Sequence, residues 1–166
     1  MTAASVTETD QAHRAADRSD IATRNDLALL LRDFYGRAFR DELLGPVFVD
    51  VARMDLDAHL PVMCDFWETV LFRAGTYRRN ALHPHQRLHA RADLTPAHFA
   101  RWLALWRATV DERQAGPKAE LAKLQGSRIA GAMCRRITGA DASPLDTGTV
   151  GKMTRNRLSP VGCHRS

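Results

Sequence analysis

Cysteine is scarce in this chain. Cys64, Cys134 and Cys163 are the only three in 166 residues, too few and too scattered for a disulfide framework. No apolar run is long enough to cross a bilayer. The opening "MTAASVTETDQAHRAADRSD" has none of the apolar centre that a secretory signal needs. A reducing cytoplasm is therefore the expected compartment, with no membrane partner. Cys-x-x-Cys and His-Glu-x-x-His, two spacings that announce zinc sites, are also missing. There is no internal repeat, and no stretch alternates polar and apolar residues for long enough to make a sheet. A net charge of +5 and a pI near 9.6 make the chain basic. No basic helix is interleaved with aromatics as a nucleic-acid reading surface would be, so no nucleic-acid partner is expected.

Hydrophobic residues make up 45% of the chain and charged residues 26%, a globular balance. The length suits one domain with a buried core. Residues 1–20 read as a disordered leader and 140–166 as an unstructured tail, and everything between them has helical spacing. A first helix is expected from about Asn25 or Asp26, with Leu27, Leu30, Leu31, Phe34, Ala38 and Phe39 on its apolar face. A second starts near Asp57, with Pro61 in its first turn and an inward stripe of His59, Val62, Met63, Phe66, Trp67 and Val70. Thr95 and Pro96 open a third long helix carrying Phe99, Trp102, Leu103, Trp106 and Val110. The last carries Leu121, Leu124, Ile129, Met133 and Ile137 and stops at Gly139. The fold class is all-α.

Between the second and third of these helices, "HPHQRLH" holds His83, His85 and His89. From Arg73 to Arg91 the chain has five arginines (73, 78, 79, 87 and 91) and no acid, a bias that suits an anionic ligand. His85 and His89 lie four apart and share one helical face, while Pro84 separates His83 from it. Three readings are open for this segment: a bare zinc ion, a solvated basic helix, or a cofactor site. His59, at the head of an apolar stripe, needs a partner or a ligand if buried. Tyr35 lies near the apolar face of the first helix, and Trp67 and Trp102 bring indole N–H donors. Polar tips on three helices among large apolar groups describe a dry pocket suited to a flat apolar cofactor. An ordinary aromatic core, in a haem-free regulatory or partner-binding module, is the alternative.

Taken in order, "FYGRAF…LGPVF…HLPVMCDFW…Y…H…HFARWLALW" resembles the truncated haemoglobins over residues 25–137. The Gly-Gly pairs usual in groups I and II are absent, so the resemblance is to group III. It implies a two-over-two helical sandwich over residues 21–139 and haem b as cofactor. Tyr35 matches the distal tyrosine, Phe48 the phenylalanine packed on the porphyrin, and His59 a distal histidine. Met63, Phe66, Trp67, Tyr77 and Trp102 complete the pocket residues. Counting forward from Phe66, Trp67 and Tyr77 makes His85 the proximal iron ligand, and counting back from Trp102 makes it His89. His85 is preferred because loops change length more readily than helices change register. The segment between Phe48 and His59 is short for the group, so His59 either contacts the ligand or gates the pocket. The resemblance further implies O₂, NO or CO as ligands, an unidentified reductase, and haem propionates for the arginines. Ligand or redox chemistry of the NO dioxygenase or peroxidase type, or sensing, is expected rather than bulk oxygen transport.

Overall fold

The structure is a computed structural model and describes residues 18–139. The expected leader up to residue 17 and the tail from residue 140, with Cys163, lie outside the described residues. Within them the chain forms α1 (Arg24–Ala38), a π-helical segment (Pro46–Val51), α2 (Leu56–Phe72), α3 (Leu82–Ala92), α4 (Pro96–Arg113) and α5 (Pro117–Thr138). No strand occurs among the described residues. α1 pairs with α2 and α4 with α5, and the two pairs cross where α1 meets α4 and α2 meets α5. α3 touches only the π-helical segment and α5 extensively, and none of its residues is fully buried.

Each helix begins where a side chain can take up its free N–H groups. α1 starts slightly earlier than the apolar spacing indicates, because Thr23 is its cap and Asp26 completes a reciprocal capping box. Asp55 caps α2 by accepting from the N–H groups of Asp57 (3.0 Å) and Ala58 (3.2 Å). Pro61 consequently sits deeper in α2 than its expected first turn. α4 opens at Thr95 and Pro96 as expected. The cap of α5 comes from far away in sequence. The Asp20 carboxylate accepts from Lys118 N–H (2.9 Å) and Ala119 N–H (2.8 Å), and Ala115 N–H donates to Ser19 C=O. Ser19 and Asp20, expected in the leader, are thus part of the packed domain.

The inward face of α5 differs from the expected one. Its buried residues are Ala119, Ala122, Gly126, Ala130, Gly131 and Cys134. Leu121, Ile129, Met133 and Ile137 are half-buried and Leu124 is 48% exposed. Small residues win this face because they let α5 approach α4 closely enough for the Trp106 ring to fit between them. A Cβ on Gly126 would stand 2.6 Å from Trp106 Cδ1. Gly126→Ala should therefore destabilise the fold by about 1–3 kcal/mol, the usual range for overpacking a tight core. An unchanged urea midpoint would contradict this account of the α4–α5 contact.

Candidate functional site

α1, α2, α4, α5, α3 and the π-helical segment enclose a cavity of about 820 Å³. Its walls are largely apolar, and all nine residues singled out from the sequence line it: Tyr35, Phe48, His59, Met63, Phe66, Trp67, Tyr77, His85 and Trp102. The stripe expected to face the core on α2 largely lines the cavity instead, and the buried face beside it shares only Trp67 with that stripe. Leu60, Cys64, Trp67 and Leu71 are fully buried, whereas His59, Val62, Met63 and Phe66 are half-buried and face the cavity. A helix against an internal cavity carries an apolar stripe wide enough for both surfaces, which sequence spacing alone does not separate. Cys64 is a buried thiol whose pKa burial pushes up, as expected of a small core residue.

One wall of the cavity carries hydrogen-bonding tips set in aromatic rings. The Tyr35 hydroxyl lies 3.2 Å from His59 Nε2. Burial pushes the Tyr35 phenol well above its ordinary range. Burial also pushes the His59 imidazole below its usual value, and the nearby His85 adds to that shift. His59 is therefore neutral near pH 7. A neutral imidazole has two ways to make this bond. The phenol donates to a bare Nε2, or Nε2–H donates to the phenol oxygen and leaves the Tyr35 O–H free for the cavity. Phe48 meets the Tyr35 ring edge-on at 6.0 Å between centroids, and Phe34 does the same to Trp102 at 5.4 Å. Trp106 spends its indole N–H on the Ala122 carbonyl, whereas those of Trp67 and Trp102 meet no acceptor among the described residues.

The three histidines of α3 separate cleanly. His85 lines the cavity, and His83 and His89 do not. His85 Nδ1 lies 2.7 Å from the Ala81 carbonyl, which can only accept, so Nδ1 carries the hydrogen and Nε2 is left with its lone pair. His89 is half-buried, with its Nδ1 enclosed and without a partner. The four-residue spacing of His85 and His89 thus does not bring both to the cavity. Among the described residues no three His, Cys, Asp or Glu side chains gather to hold a bare metal ion.

Around the cavity are residues the sequence reading passed over. Arg53, which has a left-handed backbone (φ 49°), joins Arg79, Arg87 and Arg91 in the lining. His98 lines it as well. Its Nδ1 accepts from Thr95 N–H (3.1 Å), so its hydrogen is on Nε2. A histidine three residues beyond a threonine cap was the available signal for His98, while nothing local marked Arg53. Asp55 is the one carboxylate in the lining, and it is spent on capping α2.

No protein-family model matches the sequence, and no curated protein matches it. The fold matches the crystal structure of the group III truncated hemoglobin from Campylobacter jejuni, with a TM-score of 0.63 and 20% sequence identity. The match covers 72% of this chain and 94% of that one. The chain therefore has the truncated-haemoglobin fold, as its ordered motifs lead one to expect.

The loop before α3 is pinned to α2. Tyr77 N–H donates to Thr69 Oγ1 (2.9 Å), Thr76 Oγ1 donates to the Asp65 carbonyl (3.0 Å), and the Tyr77 ring stands edge-on to Phe66. Thr69→Val should raise the amide exchange rate of Tyr77 by up to about tenfold, the worth of one such hydrogen bond. Unaltered protection of that amide would show that the Phe66 contact holds the loop alone.

Proposed function

We propose that this protein binds haem b in the 820 Å³ cavity and uses it for diatomic-ligand or redox chemistry in the cytoplasm. The observation that carries the reading is His85, whose Nδ1–H is fixed on the Ala81 carbonyl while its bare Nε2 belongs to a cavity that also holds Tyr35, His59 and Trp102. The residues present fit the group. The walls are aromatic and aliphatic, the volume lies in the range of cofactor pockets at about 300–1,000 Å³, and rim arginines without carboxylate partners suit two propionates.

Haem, when bound, supplies reversible coordination of ligands such as O₂, NO or CO and one-electron chemistry at its iron. His85 is the residue assigned to hold it, through Nε2. The Ala81 carbonyl fixes the orientation of that imidazole. Met63, Phe66 and Phe48 exclude water from the pocket, which strengthens any hydrogen bond made there. Trp102 offers an indole N–H. Tyr35 offers its O–H whenever His59 Nε2–H satisfies the phenol oxygen, so His59 sets whether the phenol donor is available. The tie to Tyr35 favours an inward His59 over one swung out as a gate. A site with several donors holds a polar diatomic ligand tightly, which favours NO oxidation, peroxide handling or sensing over bulk oxygen transport. Such chemistry would call on a reductase as partner. The haem-binding unit is residues 21–139 together with Ser19 and Asp20.

Purified protein reconstituted with haem should be red and show a Soret band that moves when CO is added to the reduced form. His85→Ala should lose the haem while His89→Ala retains it; the opposite result would exchange the two assignments. A colourless protein after reconstitution would return it to a haem-free helical binding module. Tyr35→Phe should raise the O₂ dissociation rate by about tenfold or more, the worth of one hydrogen bond in a dry site. An unchanged rate would remove Tyr35 from the donor set.

A further inference from the structure

We infer that the three tryptophans form a one-electron donor site, with Trp106 holding the positive charge when an oxidant in the cavity takes an electron; this rests on the haem reading above, with a peroxide as the oxidant. Trp67, Trp102 and Trp106 are all the tryptophans the chain has, and all three border the cavity. They come from two helices and form one column. The Trp106 ring lies 4.4 Å from Trp67 at 16° and 5.9 Å from Trp102 at 14°. Aromatic pairs that serve packing alone meet edge-on as readily, as Phe34 does with both Trp102 and Trp106. Near-parallel rings at these separations place a charge on the central one within cation–π reach of both neighbours, roughly 6 Å.

Losing an electron turns an indole into a radical cation, and burial disfavours a charge unless it is compensated. Trp106 has compensation on three sides. An indole flanks each of its faces, and its N–H donates to the Ala122 carbonyl (3.1 Å), a bond that strengthens when the donor becomes positive. A carbonyl is too weak a base to take that proton, and at 0% exposure the ring meets no water that could. The electron therefore leaves without a proton. Tyr35, edge-on to Phe34 at 5.1 Å, is the competing donor. Its oxidation has to pass the hydroxyl proton to His59, and only the tautomer with a bare Nε2 can accept it. A peroxide cleaved at the haem takes two electrons and two protons and leaves as water and an alcohol, or as two waters from hydrogen peroxide. The iron supplies one electron, Trp106 supplies the other, and solvent supplies the protons.

Ferric holoprotein freeze-quenched with hydrogen peroxide should show an organic radical by electron paramagnetic resonance. Indole-deuterated tryptophan should narrow that signal, and ring-deuterated tyrosine should leave it unchanged. A signal narrowed by the labelled tyrosine instead, or no organic radical at all, overturns the proposal. Trp67→Leu removes the nearer indole face and should shorten the lifetime of the radical by about tenfold, the worth of one cation–ring contact out of water. Trp67→Phe, which keeps an aromatic ring in the core, should shorten it less. Lifetimes equal to that of the parent in both variants overturn the role of the stack. A second arm does not depend on the cofactor. Azidyl radicals from pulse radiolysis oxidise indoles in the full-length chain, giving azide and the indole radical cation. The absorption of that protonated form should persist; prompt conversion to the neutral indolyl radical or to a tyrosyl radical overturns the assignment to Trp106. Failure to form any Soret band removes the haem reading and the peroxide step with it, while the radiolysis still decides whether the stack holds the charge.

Discussion

Trp106 is where four helices of this fold meet, and the rest of the structure is arranged around it. Its ring stacks on Trp67 of α2 at 4.4 Å and lies nearly parallel to Trp102 at 5.9 Å. Phe34 of α1 meets it edge-on, and its N–H bonds the Ala122 carbonyl of α5. It is fully buried, with 0% exposure. A domain that keeps a large apolar cavity forfeits the dispersion contacts the cavity would otherwise contain. What remains of the core has to be correspondingly dense, and the indole wedged against Gly126 supplies that density. α3 has no comparable anchor. It lies on the cavity with no fully buried residue and is tied down through Leu88 and Ala92 and by Arg91.

The cavity combines two environments that would be incompatible in a filled core. Aromatic and aliphatic walls make it largely apolar, and the polar groups it contains have their hydrogen-bonding roles set by fixed neighbours. The Ala81 carbonyl fixes the tautomer of His85, the Thr95 N–H fixes that of His98, and burial keeps both Tyr35 and His59 uncharged near neutrality. Charge is kept to the rim, where solvent still reaches it. This separation is what a large apolar cofactor with an ionised edge requires, and it follows from burying charge being far costlier than burying a hydrogen-bonded neutral group.

Much of this was legible in the chain, for reasons that differ from residue to residue. Helix positions followed from apolar spacing and from Thr95–Pro96 and Gly139, because those signals are local. The starts of α1 and α2 were misplaced slightly because Thr23 and Asp55 compete with equally plausible capping residues next to them. The pocket residues were found through ordered motifs. Arg53 belongs to no such motif and reaches the cavity through a left-handed turn, while His98 heads the last motif without a role of its own and lines the cavity from a capping box. Leu124 was assigned inward and is exposed, because leucine spacing on α5 competes with a stripe of alanine and glycine whose value depends on Trp106 in another helix.

The sequence by itself determined the all-α class, the order of the helices, the likeness to a truncated haemoglobin and the identity of the large aromatic and histidine side chains. Those properties depend on periodicity, local capping and residue type, which a linear chain records directly. Only the tertiary structure decided that His85 and not His89 enters the cavity, which residues of α2 face the cavity and which the core, and that Arg53 joins Arg79, Arg87 and Arg91 in its lining. Each of these depends on the rotation of one helix against its neighbours, and that rotation is set by contacts between residues distant in sequence.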